Sequence, residues 1–437
     1  MDNFDEKQSV LSKEDLRDGA DFICEFSDEL KKFPGRLATR MDETACARAI
    51  RNRLHDETDA KTRLEAFSTP KIAGRSSLAL LGAWYALCYA IYFVSFAGDR
   101  LTGILVTLLS LVLFLAGGTG CMLLYLGNRK ACALMPKKVS YNVVSERARN
   151  DKDAKRTFIV CDSHDAVPGS PVKDFELMRK ISLIIAPISV FIFVLFCILK
   201  MAIGTGAPNG AAKISAFTIF PFISGIFGIS AMILQFSPKE NCARVPNGIS
   251  TAVAMATFAY FAEQPELMPE DVRIVYASFG AEEAGHGGSR AFVKAHPEFA
   301  GATVLCIGNV KGGGFRVAER DAIRNIDFSM DAVACAHASA IEQGISLSTL
   351  EHDSVMGRIG CMHGLLSNSF ALNGMPSTTL VAKDIAKAQK PTRKEIEQMF
   401  LLAAGTMTKL MAIKPQDVAV EQVAPSAEME IKDVDSK

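Results

Sequence analysis

Glu282 and Glu283 stand side by side just beyond the apolar run Val272 to Phe279, with Gly280 and Ala281 between. The run carries the Val, Ile, Tyr and Phe of a buried strand. A glycine-rich turn (Gly285, Gly287, Gly288) follows, and a helix is expected from Ser289. Two carboxylates delivered together at a strand end can divide the work, one as general base and its neighbour as metal ligand. The plainer alternative is an acid pair that hydrogen-bonds backbone amides or pairs with Arg290 or Lys311. His164 and Asp165 follow another strand-like run, Arg156 to Cys161, and His286 lies inside the glycine-rich turn. With His352, Asp353 and His363 these are the side chains from which a single-metal site could be assembled, although no spacing compels it. His55, His296 and His337 read as ordinary helical or loop histidines. No G-x-S-x-G elbow or Cys/His constellation supplies a nucleophile. The glycines at 204–206 and 312–314 lack the strand–turn–helix context of a phosphate loop.

The elements that must position these residues alternate. Amphipathic helices are predicted over Phe22–Lys32 and Asp42–Leu54, and an edge strand over Arg63–Ser68. Strands follow at Tyr141–Val144 and Arg156–Cys161, then a helix at Gly248–Phe261. Strands at Val272–Phe279, Thr303–Ile307 and Ser377–Ala382 complete the set. Thr392 and Glu395 have capping-box spacing at the start of a last helix. Such alternation implies an α/β fold, a mostly parallel mixed sheet with helices on both faces.

Four uncharged stretches interrupt it: Ser76–Phe96, Leu101–Asn128, Ile181–Leu199 and Ile214–Ser237. They raise the apolar content to 49% and the mean hydropathy to +0.18. Each reaches the roughly 18–20 residues needed to cross a bilayer core, so two transmembrane hairpins are expected. Thr102, Ser110, Gly117 and Gly118 suit helix–helix contact in lipid. Eleven Lys and Arg, from Lys71 and Arg75 to Lys239 and Arg244, flank the hairpins on the side of the large segments. Only Arg100, Lys200 and Lys213 lie in the short loops, which places both termini and the large segments in the cytoplasm. The spans themselves hold no ionisable residue to mark a transport path. The opening MDNFDEKQSV is charged, so no cleaved leader is expected. The 11 cysteines show no framework spacing and read as reduced. Zero net charge gives no sign of nucleic-acid binding.

The expected organisation is therefore 1–70 (N-terminal helical part), 76–128 (first hairpin), 137–176 (strands), 181–237 (second hairpin), 239–414 (main α/β segment) and 415–437 (a disordered tail).

The stretch FGAEEAGHGGS, Phe279 to Ser289, resembles the FGAEE-GxxGS signature of metallopeptidase family 28, the two-zinc aminopeptidases and glutaminyl cyclases. Gly35, Arg36, Leu37, Ala38 and Glu43 echo that family's opening, and a bacterial subgroup shares the inserted hairpins. The resemblance implies Glu282 as general base and Glu283 as zinc ligand. It places Asp165 on the orienting Asp of an H-x-D motif, Ser163 on the ligand His, Pro246 on the bridging Asp and Asn309 on a further Asp. No histidine follows His363 to serve as the late ligand. Two zinc ions need compensating carboxylates, and a hydroxyl, a proline and an amide provide none. His164 or His286 would have to substitute.

The implied protein is thus an integral-membrane homologue of the zinc aminopeptidases with most of its metal site lost. It would bind a peptide or an amino-terminal group as a binding or regulatory module and hold no metal. The alternative is an active hydrolase with a rearranged site around zinc and Glu282.

Overall fold

The computed structural model describes residues 10–71, 77–97, 99–166, 176–203, 211–234, 248–310, 313–321, 325–350, 365–382 and 390–413. Pro246, Lys311, His352, Asp353, His363 and the tail from 415 lie outside them.

Two helices open the chain. The first, α1 (Lys13–Leu30), begins earlier than its apolar pattern predicts because Ser12 and Asp15 form a reciprocal capping box. The second, α2 (Met41–Glu57), leads into strand β1 (Lys61–Pro70). Helices α3 (Ser77–Val94), α4 (Arg100–Tyr125) and the short α5 (Arg129–Ala133) come before β2 (Lys137–Ala148) and β3 (Arg156–Ser163). Helices α6 (Glu176–Ile203), α7 (Ala211–Leu234) and α8 (Ile249–Glu263) precede β4 (Val272–Phe279). Then come α9 (Gly287–Ala295), β5 (Thr303–Ile307), β6 (Phe315–Val317), β7 (Arg320–Asp321), β8 (Ile326–Asp327), α10 (Met330–Glu342) and β9 (Leu347–Thr349). The chain closes with α11 (Ser367–Ala371), β10 (Ser377–Ala382) and α12 (Arg393–Ala412).

Eight strands make one mixed sheet in the order β1-β2-β4-β3-β5-β10-β6-β9, and β7 and β8 form a separate ribbon. The centre, β4-β3-β5-β10, is parallel, and β2 and β6 join its flanks antiparallel. Parallel strands must be covered on both faces. One face packs on α1, α8, α10 and α12 around Ile23, Phe258, Ile274 and Leu402. The other meets α9 and α11 through Phe279, Phe292 and Phe370. In α8 nearly every residue is buried, so it shows no amphipathic period. Replacing its fully buried Phe258 by Ala should cost about 3–5 kcal/mol.

Helices α3, α4, α6 and α7 fall in the four uncharged stretches. Two helices, Arg100–Tyr125 and Ile184–Ile203, are long and apolar enough to cross a membrane, whereas Leu80–Val94 and Ala216–Met232 are apolar but shorter. Tyr85, Cys88, Tyr92, Phe114 and Phe193 pack in the middle of the bundle, and Leu105, Leu109, Phe191 and Ile226 point outward. Of the four residues expected at helix contacts, Ser110 donates to the Cys88 carbonyl at 2.7 Å and Gly117 faces the Trp84 indole. Gly118 has open space beside it and Thr102 is exposed, so these two make no such contact. Lys200 corrects the sequence reading. It belongs to α6 rather than to a loop and is 1% exposed. Its ammonium bonds the Ser95 hydroxyl and lies 3.2 Å from the Phe96 ring centroid, an arrangement that buries the stem and leaves the charge on π and hydroxyl partners.

Candidate functional site

Three strand ends carry the predicted residues to one edge of the sheet. β3 passes to His164 and Asp165, β4 to Glu282 and Glu283, and β5 to Asn309. The chain goes from β3 to β4 on one side and then to β5 on the other. A reversal of this kind marks the crevice beyond the carboxyl ends of a doubly wound sheet.

The turn after β4 is held in an uncommon backbone. Ala281 and His286 have φ of 53° and 59°, the left-handed region that costs a side-chain-bearing residue roughly 1–2 kcal/mol. Bonds from neighbouring elements over-determine it. Asn142 of β2 accepts from the Gly280 N–H at 3.3 Å and donates to the Gly288 carbonyl at 2.9 Å. Glu43 of α2 accepts from the Ala281 N–H at 2.9 Å, the Ser140 hydroxyl at 2.6 Å and the Thr39 N–H at 2.5 Å. Burial pushes the Glu43 carboxyl up to about 7 against the pull of these three donors.

Glu282 is 5% exposed. One oxygen accepts from the Ser289 N–H at 2.6 Å, and the other lies 3.0 Å from His286 Nδ1. The residue implied as general base therefore fastens the first turn of α9, whose opening N–H groups have no partner within the helix. Asp165 accepts from the Glu283 N–H at 2.9 Å, so it orients the backbone of Glu283 rather than a histidine. Its carboxyl is raised by burial and by Glu283 and Glu43 beside it.

His164 is fully buried, and its direction is set by Asp162. Asp162 accepts from the hydroxyls of Thr251 (2.6 Å), Tyr276 (3.0 Å) and Ser278 (3.2 Å). Ser278 gives its single proton to Asp162, so its oxygen must accept from His164 Nδ1 at 3.0 Å. The proton of the neutral imidazole is thereby assigned to Nδ1, with the lone pair on Nε2. Among the described residues, Nε2 has no hydrogen-bond partner, and neither do Asp165 Oδ1 and Asn309 Oδ1. Burial, with the Arg36 guanidinium nearby, pulls the His164 pKa down to about 3.

A deprotonated imidazole nitrogen is a fitting metal donor, but its surroundings are not. Arg36, itself 1% exposed, adds positive charge beside it. Ser163 and Asn309, both half-buried, bring no charge. Glu282, Asp165 and His286 are engaged as fasteners of the turn. Among the described residues, no three His, Cys, Asp or Glu side chains are grouped to hold a metal ion. Among the described residues the donor set does not fit a zinc pair.

Asn142, Asp162, Thr251 and Tyr276 escaped the sequence reading. A signal existed for Asp162: it is an acid set directly against the apolar run Phe158–Cys161, where only a partnered carboxylate survives. Asn142 gave none, because its partners are backbone atoms of a distant turn.

Residues 245–334 match the model of Peptidase family M28. The match takes in the segment with the paired glutamates and agrees with the wording at Phe279–Ser289. No curated protein matches the chain. Among solved structures it is similar to BSAP, a zinc aminopeptidase from Bacillus subtilis, with 12% identity and a TM-score of 0.47 over 90% of this chain and 94% of that one. It is similar to an aminopeptidase from Aneurinibacillus sp. strain AM-1, with 11% identity and a TM-score of 0.45 over 89% and 93%. A glutaminyl cyclase from Fimbriiglobus ruber gives 11% identity and a TM-score of 0.44 over 93% and 97%.

Proposed function

We propose that this chain is a membrane-embedded M28 peptidase homologue whose α/β domain works as a ligand-binding or regulatory module without metal chemistry. The observation that carries this reading is the engagement of Glu282, with one oxygen on the Ser289 N–H and the other beside His286. A carboxylate fixed in a helix cap is poorly placed to take a proton from water. The neutral Ser163 and Asn309 at the other strand ends support the same reading. The ligand is a peptide or an amino-terminal group, received by the carboxylates and neutral acceptors of the crevice. The four apolar helices form two hairpins across the bilayer, with both termini and the α/β domain in the cytoplasm. The apolar outer faces of α4 and α6 and the distribution of Lys and Arg support that arrangement.

The test is elemental mass spectrometry on protein purified in mild detergent without chelator, followed by a peptide-hydrolysis assay. Near-zero zinc, manganese and cobalt with no released amino acid is the expected result. One tightly held metal per chain, together with hydrolysis abolished by Glu282→Gln, would establish the rearranged hydrolase instead.

A further inference from the structure

The first helical hairpin is inserted into a β-hairpin and returns onto the site. The β1–β2 ladder closes up to Pro70 opposite Lys137, and the Lys71 N–H bonds the Pro136 carbonyl at 2.8 Å. Both ends of the insertion are therefore tied to the sheet. At the end of α4 the chain turns at Gly127, with φ of 68°. A Cβ there would lie 2.8 Å from the Gly285 carbonyl oxygen and 3.0 Å from its Cα. The backbones thus meet at a distance that only glycine allows. Arg290 of α9 donates through Nη1 to the Gly127 carbonyl. Beside them, Cys132 of α5 packs with Phe67 and Ala38 against Ala281 and Ala284.

These contacts fall on the turn that holds Glu282 and Glu283. Arg290 is the residue after Ser289, whose N–H fixes Glu282. We propose that Gly127 and Arg290 are positioning residues of the site, a clamp through which α4 sets the turn 280–288. Movement of the hairpin relative to the sheet is opposed by the tied β1–β2 ladder. Displacement of the α4 end therefore passes through the Gly127–Arg290 bond to the cap of α9 and to the paired glutamates. This deepens the proposed function, because it lets the bilayer around α4 bias the ligand crevice, and for that part it rests on the reading that α4 crosses the membrane.

The experiment is hydrogen exchange on the full chain, in detergent and in nanodiscs of dimyristoyl- or dioleoyl-phosphatidylcholine. In detergent, Arg290→Ala and Gly127→Ala should each speed exchange over 281–290 by about tenfold or more, the scale of a lost charged hydrogen bond. Amides of β5 should keep their wild-type rates, and Arg290→Lys should restore part of the protection. In nanodiscs, wild-type exchange over the turn should differ between the thinner and thicker bilayers, and Arg290→Ala should erase that difference. Unchanged turn exchange in both alanine variants overturns the clamp wherever α4 lies. A bilayer dependence that survives Arg290→Ala overturns the transmission. A clamp intact in detergent with no bilayer dependence refutes only the coupling to the membrane. Should Arg290→Ala misfold, Arg290→Gln, which keeps an amide donor, carries the same comparison.

Discussion

Two regions of this chain bury polar side chains and do so in opposite ways. At the carboxyl edge of the sheet the buried groups are carboxylates, Glu43, Asp162, Asp165 and Glu282, each surrounded by hydroxyl or backbone N–H donors. Within the apolar bundle they are mostly neutral hydroxyls. Tyr85 and Tyr89 meet Ser189 and Ser224, and Tyr92 donates to the Phe217 carbonyl. A buried carboxyl group, ionised or protonated, is costly to leave without its partners. A hydroxyl network is weaker and degrades gradually, and in an apolar bundle a lost hydroxyl can be replaced by packing. The sheet edge should therefore fail sharply under substitution and the bundle should yield slightly.

The largest expected effect is at Asp162. Removing its carboxylate in Asp162→Ala strands the hydroxyls of Thr251, Tyr276 and Ser278 and unfixes His164, all of them buried. We expect a loss of about 3–5 kcal/mol, a large share of the stability of an ordinary domain. Denaturant titration of the α/β signal checks this. A loss under about 1 kcal/mol would show that the cluster is no more critical than an exposed one.

Glu43 gives the next effect, read through pH. Its carboxyl titrates at about 7 in the folded chain against an ordinary 4.5. Between these values the native state holds a proton that the unfolded chain has released, so stability must fall as pH rises. The fall reaches up to about 3 kcal/mol by pH 7 and is absent below the unfolded value. Asp162, raised to about 6, acts in the same direction. Thermal melting at pH 5 and pH 7.5 should show the higher midpoint at pH 5, with a smaller difference in Glu43→Gln. A midpoint that climbs with pH would mean that Glu43 is ionised in the native state.

The two regions were also legible to different degrees. β4, β5 and β10 coincide with their predicted residues because apolar runs bounded by glycine or proline leave little freedom. The capping box of α12 was equally plain at Thr392 and Glu395. β6, β9 and α10 were missed, since three-residue strands carry no period and α10 alternates alanine with Val333, Cys335, His337 and Ser339, which hides a helical period. For the site, the strand-end placement of Glu282, Glu283 and Asp165 was readable, but their engagement was not. The side chain that fastens a turn is chosen by tertiary contact: Asn142 lies 138 residues from Gly280 and Glu43 lies 238 from Ala281. Lys200 misled for a related reason. A lysine next to a run of apolar residues looks like the end of a span until aromatic rings are found around it.

The smallest effect belongs to the bundle. Tyr89→Phe removes one hydroxyl that lies 2.9 Å from Ser224 and 3.3 Å from Tyr85. The ring remains, with its centroid 4.5 Å from that of Phe193, so packing is kept. Ser224 retains Ser189 at 3.1 Å. The loss should be about 0.6 kcal/mol and no more than roughly 1.7, the range for hydrogen bonds between helices in an apolar setting. Unfolding of the full chain in mixed micelles, followed by the fluorescence of Trp84 in α3, reads this directly. A cost near that of Asp162→Ala would sink the contrast, because the hydroxyls would then form a cooperative unit like the carboxylate cluster. A cost within the stated range fixes the bundle as the tolerant partner of an intolerant sheet edge.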